Sequence, residues 1–351
     1  YGKPLLEVGP SSASRDISLN SSYAVFTSSQ QITINLPSHL KKIGLRAFYN
    51  LTGEGSAINF HPASHLESIE ARAFQSASGI TTLNLPATDK LGDAVFYGMK
   101  SLVGVTFGEG SHITQITAQM FRNCSALTSF EIPASVTKIN KNAFTNCTNL
   151  QNLTIEEGSQ LTEIGDNAFD NTAITEFHMP ENVTYAGGAI FRNCVNLKRV
   201  TLSRKLVSVL EGTTIFTGCS ALEYIEVQEG SIYFKSVNGV LYDLAETIIY
   251  CYPAAKDPTG FKLPDTLITI EQGALSYFPG TSLELPQSLE IIGESAFACA
   301  KLTSIHIPKN VTRIESEAFS GWEDGDAICR LETLTFAPDS KLEYIGIYAF
   351  Q

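Results

Sequence analysis

The sequence predicts a repeat solenoid, a fold in which one short structural unit recurs along the chain and stacks on its neighbours. The first observation is a phrase, residues 127–144, whose apolar positions return through most of the chain. The second is a phenylalanine, preceded by alanine at four of nine places and by another apolar residue at the rest, that recurs from Phe26 to Phe216 at steps of 22 to 26 residues. A fixed period of this length indicates units that bury their apolar faces only against one another.

The period lies within the range of leucine-rich repeats, about 20–29 residues, so we expect a solenoid of leucine-rich-repeat type. Its first half should be a short strand, because apolar and polar residues alternate in segments such as 150–155. The proline that often follows, for example Pro133 or Pro308, has no N–H for a sheet and ends the strand. Stacking such strands predicts a parallel sheet on the concave side, with loops opposite.

The second half of each unit should close the turn. In the 127–144 unit, Val136, Ile139 and Ala143 are three to four residues apart, which favours a short 3-10 or helical turn. A phenylalanine at one fixed place predicts a spine of stacked rings in the core. Five cysteines share another fixed place, which predicts a buried column of free thiols: Cys124, Cys147, Cys194, Cys219 and Cys299. The odd total of seven cysteines argues against a disulfide framework.

The pattern also indicates where the array departs from regularity. Residues 1–22 lack the repeat and predict a tail or an irregular cap, whereas residues 23–351 predict a single solenoid. A surplus of sequence between Phe216 and Leu275 predicts a β-hairpin insertion at about 228–260. An acidic segment at 320–328 holds the only tryptophan, Trp322, and predicts a loop insertion. The last unit breaks off at Gln351, so we expect that the array is truncated there.

Composition and charge exclude several classes of function. The net charge of −12 argues against binding to nucleic acid or to an anionic membrane surface, since both need a basic face. No apolar run approaches the ~20 residues that a transmembrane helix needs. The sequence has no Cys-x-x-Cys pair, no nucleotide-binding loop and no Ser/His/Asp arrangement. We therefore expect neither a metal, nor a cofactor, nor enzymatic activity.

The repeat resembles the BspA-like, or Treponema-type, leucine-rich repeats of bacterial surface proteins. The residues that carry the resemblance are Leu127-Thr-Ser-Phe-Glu-Ile-Pro133, with Ile139, Ala143-Phe144 and Cys147 after them. The insertion, with Gly239-Val-Leu-Tyr242 and Tyr252-Pro253, is similar to a variant unit of such proteins. The resemblance implies a secreted or surface-displayed protein, in a family where some members adhere to host matrix proteins or to cells. It implies no catalytic residue, because the shared motif is a packing motif.

Candidate binding residues fall into two groups. The first group occupies the outward-facing position of successive strands and is polar and moderately acidic: Glu131, Thr154, His178, Thr201 and Glu226. The second group lies where the repeat is broken, because loops on a rigid scaffold often carry function. It comprises Tyr242 and Tyr250 in the insertion and Trp322 in the acidic loop. An alternative for the tyrosines is that they pack the insertion against the array.

These observations lead us to expect a non-enzymatic, extracellular or cell-surface, adhesin-like module for host or cell-surface proteins or glycans. We expect it to act as a monomer. The alternative is a structural spacer that displays another domain. An exposed aromatic patch at the insertion would favour binding, and a uniformly polar exterior would favour the spacer.

Overall fold

The computed structural model describes residues 7–8, 28–207, 214–321 and 330–351. The chain divides into two compact units, Tyr1–Ile174 and Thr175–Gln351. Each unit is a parallel-strand solenoid built of stacked turns, which confirms the predicted fold class. The expectation of a single solenoid over residues 23–351 stays a prediction.

The strands of the first unit form an outer and an inner ladder, and each ladder is divided into short parallel sheets. The outer ladder, which is the predicted strand half, consists of β2 (Thr33–Asn35), β4 (Ala57–Asn59), β7 (Thr82–Leu85), β9 (Gly104–Phe107), β11 (Ser129–Ile132) and β13 (Asn152–Ile155). The inner ladder consists of two-residue strands: β1 (Glu7–Val8), β3 (Lys42–Ile43), β5 (His65–Leu66), β6 (Ser68–Ile69), β8 (Ala87–Thr88), β10 (Gln115–Ile116), β12 (Lys138–Ile139) and β14 (Glu163–Ile164). All strand pairs within this unit are parallel. The N-terminal segment joins the array through β1, which pairs with β3.

The second unit repeats this plan around an insertion. Its outer ladder consists of β15 (Glu176–His178), β17 (Arg199–Leu202), β18 (Tyr224–Val227), β24 (Ser304–Ile307) and β26 (Thr333–Phe336). Its inner strands are β16 (Tyr185–Ala186), which is not part of the later sheet, and β22 (Thr269–Ile270), β23 (Ile291–Ile292), β25 (Arg313–Ile314) and β27 (Tyr344–Ile345), which pair in succession and form the inner ladder. A 3-10 helix spans Thr214–Phe216.

The predicted insertion is confirmed, and it has one strand more than a hairpin. Strands β19 (Phe234–Val237), β20 (Val240–Asp243) and β21 (Ile248–Cys251) form an antiparallel meander. Its last strand then pairs in parallel with β22, so the meander becomes the first member of the inner ladder that follows. A single core runs from Val240 to Ala349 and joins the insertion to the later turns.

The segment around each phenylalanine, called here the Ala-Phe corner, is made of hydrogen-bonded turns. In one corner the N–H groups of Asn142, Phe144 and Asn146 donate to carbonyls of the next turn at 2.8–2.9 Å. The N–H groups of Thr145 and Cys147 donate instead to carbonyls of their own corner. This alternation requires left-handed backbone at Asn142 (φ 57°) and Asn146 (φ 62°), which asparagine tolerates better than most residues.

The phenylalanines stack as predicted. In the first unit the rings of Phe48, Phe74, Phe96, Phe121, Phe144 and Phe169 lie with successive centroids 5.1 to 5.8 Å apart, and each side chain is fully buried. In the second unit Phe297, Phe319 and Phe350 continue the arrangement, and a buried Leu275 takes the place of one ring. Phe26 lies outside the described residues.

Four of the five predicted members form the cysteine column: Cys124, Cys147, Cys194 and Cys219 are buried and in no disulfide. Cys299 is also buried but lies one place earlier in its corner, where its N–H donates to Ser320 of the next turn and its backbone is left-handed, so Ala300 takes the column place. Three of the thiols donate a hydrogen bond to the phenylalanine carbonyl of the preceding turn. The distances are 3.1 Å from Cys124 to Phe96 and from Cys147 to Phe121, and 3.0 Å from Cys219 to Phe191. Burial raises the pKa of the Cys124 thiol to about 12, because the thiolate would lose its hydration.

Phe144→Ala tests the ring stack. Phe144 contacts Phe121 and Phe169 at ring-centroid distances of 5.2 and 5.8 Å, and its side chain is fully buried. We expect the substitution to lower the free energy of unfolding by about 3–5 kcal/mol, from lost burial and the cavity left behind. Urea unfolding followed by circular dichroism measures this loss. Phe336, which is 38% exposed, is the control, and Phe336→Ala should cost about 1 kcal/mol or less.

The cysteine column predicts thiol reactivity. At pH 8 a thiol with a pKa near 12 is almost wholly protonated, and the thiol form does not react with iodoacetamide. We expect Cys124 and Cys147 to stay unmodified in the folded protein and to be alkylated fully in urea, as measured by peptide mass spectrometry. Rapid alkylation of either residue without denaturant would contradict their place in the core.

Candidate functional site

The outward strand positions lie in register, as the alternation predicted. In the first unit Glu131 of β11 stands opposite Thr154 of β13, and both are exposed. In the second unit His178, Thr201 and Glu226 follow one another across β15, β17 and β18. Thr201, however, is only 7% exposed. Its short side chain lies between two longer ones, and its hydroxyl donates to Glu226 Oε2 at 3.4 Å.

The polar side chains of the outer ladder bond to one another along the stack. Asn59 Nδ2 donates to Asn35 Oδ1, and Thr106 Oγ1 donates to Asn84 Oδ1, each at 2.9 Å. These bonds use part of the capacity that would otherwise serve a ligand. The outer ladder is thus a largely self-satisfied polar surface.

The two tyrosines of the insertion have different environments. Tyr242 is 2% exposed and belongs to the core of the second unit, and its burial raises the pKa of its hydroxyl. It offers no surface to a ligand, so the alternative that it packs the insertion against the array describes this residue. Tyr250 is half-buried and meets Phe234 edge to face at a centroid distance of 5.4 Å. Trp322 lies outside the described residues.

An apolar patch is exposed at the open end of the meander. The register pairs Phe234 with Asp243, so the next residues outward, Tyr233 and Leu244, are cross-strand neighbours. With Ile232 they form what we call the insertion patch, whose members are 69% (Ile232), 43% (Tyr233) and 45% (Leu244) exposed. An adjoining pocket of about 350 Å³ is lined by Leu244, Phe234 and Glu226, among others. Of the sequence-predicted residues, Glu226 thus lies beside this patch.

A larger groove opens where the outer ladder of the second unit is interrupted. Residues 261–263 and 283–285 have the strand pattern in sequence, yet neither segment forms a strand. The groove there has a volume of about 830 Å³, and its lining includes Phe261, Leu283, Glu284, His306 and Thr335. His306 Nδ1 and Thr335 Oγ1 are 2.9 Å apart across β24 and β26. The mixed apolar and polar lining suits a ligand of either character.

A charged cluster that the sequence reasoning missed spans three turns of the first unit. His65 Nε2 and His112 Nδ1 both donate to Asp89 Oδ1, at 2.9 and 3.0 Å. These hydrogen bonds, that from His112 foremost, hold the pKa of the Asp89 carboxyl below its ordinary value. The sequence feature that could have revealed this cluster is its spacing, because His65, Asp89 and His112 each lie about one repeat after the one before.

A metal site and a membrane-spanning helix were both unexpected from the sequence, and residues 28–207, 214–321 and 330–351 bear on each. In these ranges no three His, Cys, Asp or Glu side chains come together in an arrangement that could hold a metal ion. The same ranges contain no helix long and apolar enough to cross a bilayer.

Comparison with known proteins agrees with the fold. Residues 20–151, 114–237 and 249–351 match the family described as BspA type leucine rich repeat region, in six copies. The sequence has no significant match among curated proteins.

Solved structures of bacterial leucine-rich repeat proteins are similar to this chain. A protein from Eubacterium ventriosum is 28% identical with a TM-score of 0.58, and the match covers 68% of this chain and 60% of that one. This chain therefore spans less than two thirds of that protein's length. A Bacteroides ovatus protein is 22% identical with a TM-score of 0.53, covering 90% and 74% of the two chains. The pneumococcal vaccine antigen PcpA has the same identity and TM-score, covering 93% and 78%.

The Asp89 cluster predicts a pH dependence. A carboxyl whose pKa is lower in the folded than in the unfolded protein stabilises the fold above the unfolded value of about 3.8. That stabilisation disappears as the pH falls through the folded pKa. We expect an NMR titration to place the Asp89 pKa below 3.8 and to show it rising in His65→Ala/His112→Ala, which removes both donors. An unchanged pKa in the double variant would show that the histidines do not lower it.

Proposed function

Because this chain belongs to the family of BspA type leucine-rich repeats, we propose that it is a non-enzymatic, adhesin-like module that binds a protein partner outside the cell. The observation that carries the proposal is the insertion patch, in which three exposed apolar side chains, Ile232, Tyr233 and Leu244, lie close together at one end of the meander. Contiguous exposed apolar side chains mark interaction sites, and tyrosine is enriched at the centres of protein interfaces.

The surroundings of the insertion patch also support a protein partner. Lys235 and Glu246 form an ion pair of 2.7 Å next to the patch, so its border is charged. An apolar centre with a polar rim is the usual anatomy of a protein interface. The meander is joined to the core that runs from Val240 to Ala349, so the patch sits on a rigid support.

A spacer remains the second candidate, and the outer ladder favours it. Polar side chains such as Asn59 and Thr106 bond to their neighbours on the stack instead of presenting free groups. A spacer needs only such a soluble surface, and it would bind none of the partners offered to it.

Surface plasmon resonance against immobilised extracellular-matrix proteins and glycans distinguishes these functions. We expect the chain to bind at least one matrix protein, and Tyr233→Ser/Leu244→Ser to weaken that binding about 30-fold, as for a hot spot of about 2 kcal/mol. Both side chains are exposed, so the variant should keep its thermal unfolding midpoint.

The matched control is Val103→Ser/Val195→Ser, which removes two exposed apolar side chains elsewhere. It should bind as the wild type does. Equal losses in both double variants would contradict a role for the insertion patch. Binding to glycans alone would contradict a protein partner, and no binding at all would favour the spacer.

A further inference from the structure

The Ala-Phe corners of the first unit contain a pocket that the proposed function does not use. Two residues before each phenylalanine, three successive corners carry Arg72, Ala94 and Gln119. The short side chain of Ala94 therefore lies between two long ones. These two long side chains border a pocket of about 210 Å³, called here the arginine pocket, which is also lined by Gln75, Tyr97 and Arg122.

The two arginines of the pocket lack carboxylate partners. Elsewhere in the chain, Arg204 pairs with Glu181 at 2.6 Å, and Arg313 pairs with Glu315 at 2.8 Å. Within the described residues neither Arg72 nor Arg122 forms an ion pair. In a chain of net charge −12, two unpaired guanidinium groups in one pocket make a local site for an anion.

The carboxylate that adjoins Ala94 in sequence is already engaged. Asp93 accepts the backbone N–H of Ala118 at 3.1 Å and is exposed. It does not line the pocket. The positive charge of the pocket is therefore available to a ligand.

Tyr97 adds a third donor through a chain of amides. Asn171 Nδ2 donates to Asn146 Oδ1, and Asn146 Nδ2 donates to Asn123 Oδ1, each at 2.9 Å. Asn123 Nδ2 then donates to the Tyr97 hydroxyl at 3.2 Å. The tyrosine oxygen is thus the acceptor at the end of the chain, and its own O–H can donate into the pocket. Each bond of such a chain polarises the next and strengthens the terminal donor.

Two polar atoms at the pocket lack a partner. Gln75 Oε1 and Arg122 Nε are buried and make no hydrogen bond. A buried polar atom left unpaired costs about 1–3 kcal/mol. Since both side chains line the pocket, a small rotation of each toward a ligand would satisfy it. The glutamine oxygen needs a donor and the arginine nitrogen an acceptor, so the complementary ligand carries both a hydroxyl and an anionic group.

We propose that the arginine pocket binds an acidic sugar residue, a uronate, of a glycan. Arg72 and Arg122 hold its carboxylate, Tyr97 donates to an oxygen, and Gln75 accepts from a ring hydroxyl. Arginine suits this role because its planar fork matches a carboxylate. Pockets for whole drug-sized ligands measure about 300–1,000 Å³, so this smaller pocket takes a single sugar unit. Sulfate has the charge but no hydroxyl that could donate to Gln75.

Calorimetric titration with sodium glucuronate tests the proposal, with glucose and sodium sulfate as comparison ligands. We expect glucuronate to bind, sulfate to bind at least tenfold more weakly, and glucose not to bind. Arg72→Gln/Arg122→Gln should weaken glucuronate binding at least tenfold. The matched control is the double variant Lys301→Gln/Arg330→Gln. It removes the same charge from exposed positions in the other unit.

A second variant separates occupation of the pocket from charge. Ala94→Gln introduces, between Arg72 and Gln119, the residue that the next corner already has at Gln119, where the backbone is also left-handed, and we expect its side chain to reach into the pocket. It should fold normally by circular dichroism and lose glucuronate binding while every arginine remains. The proposal is overturned if the wild type does not bind glucuronate, if sulfate binds as tightly, or if Ala94→Gln binds normally. None of these outcomes bears on the insertion patch, which lies in the other unit.

Discussion

The hydrogen bond that most corner phenylalanines donate from their N–H to the next turn sets the register on which the other columns depend. It measures 2.8 Å from Phe144 to Ala168 and 2.7 Å from Phe297 to Ala318, with the same arrangement in both units. Because the backbone of one corner must repeat that of its neighbour, every side chain falls directly above its counterpart. The ring stack, the thiol column and the asparagine chain all follow from this one requirement.

The repeat made the buried half of the fold predictable from sequence. Phe144, Ile139 and the four column cysteines recur at fixed places, and recurrence of apolar residues indicates a core position. The sequence could not show that Cys299 lies one place before the column. The inner ladder was not predictable, since two residues such as Lys138 and Ile139 are too few to show an alternation. Nor was the left-handed backbone at Arg46 or Cys299, because neither residue type favours that conformation and only the stacking imposes it.

The candidate sites were predicted less completely, for reasons of geometry. Alternation correctly placed Glu131 and Glu226 on the outside. It could not show that longer neighbours bury Thr201, or that the meander carries Tyr242 into the core. The Asp89 cluster and the arginine pocket depend on which residues align across turns of unequal length. That alignment becomes visible only when the corner hydrogen bonds define the register.

Ala94 shows how a stack of this kind can acquire a new specificity. Its neighbours in the column, Arg72 and Gln119, have long side chains that line the arginine pocket. The backbone at Ala94 (φ 56°) is the same as at Arg72 (φ 59°) and Gln119 (φ 58°). A single codon change at such a position can thus create or erase a cavity without rebuilding the scaffold. Repeat arrays of this kind can diversify their ligands one side chain at a time, while selection for folding acts on other residues.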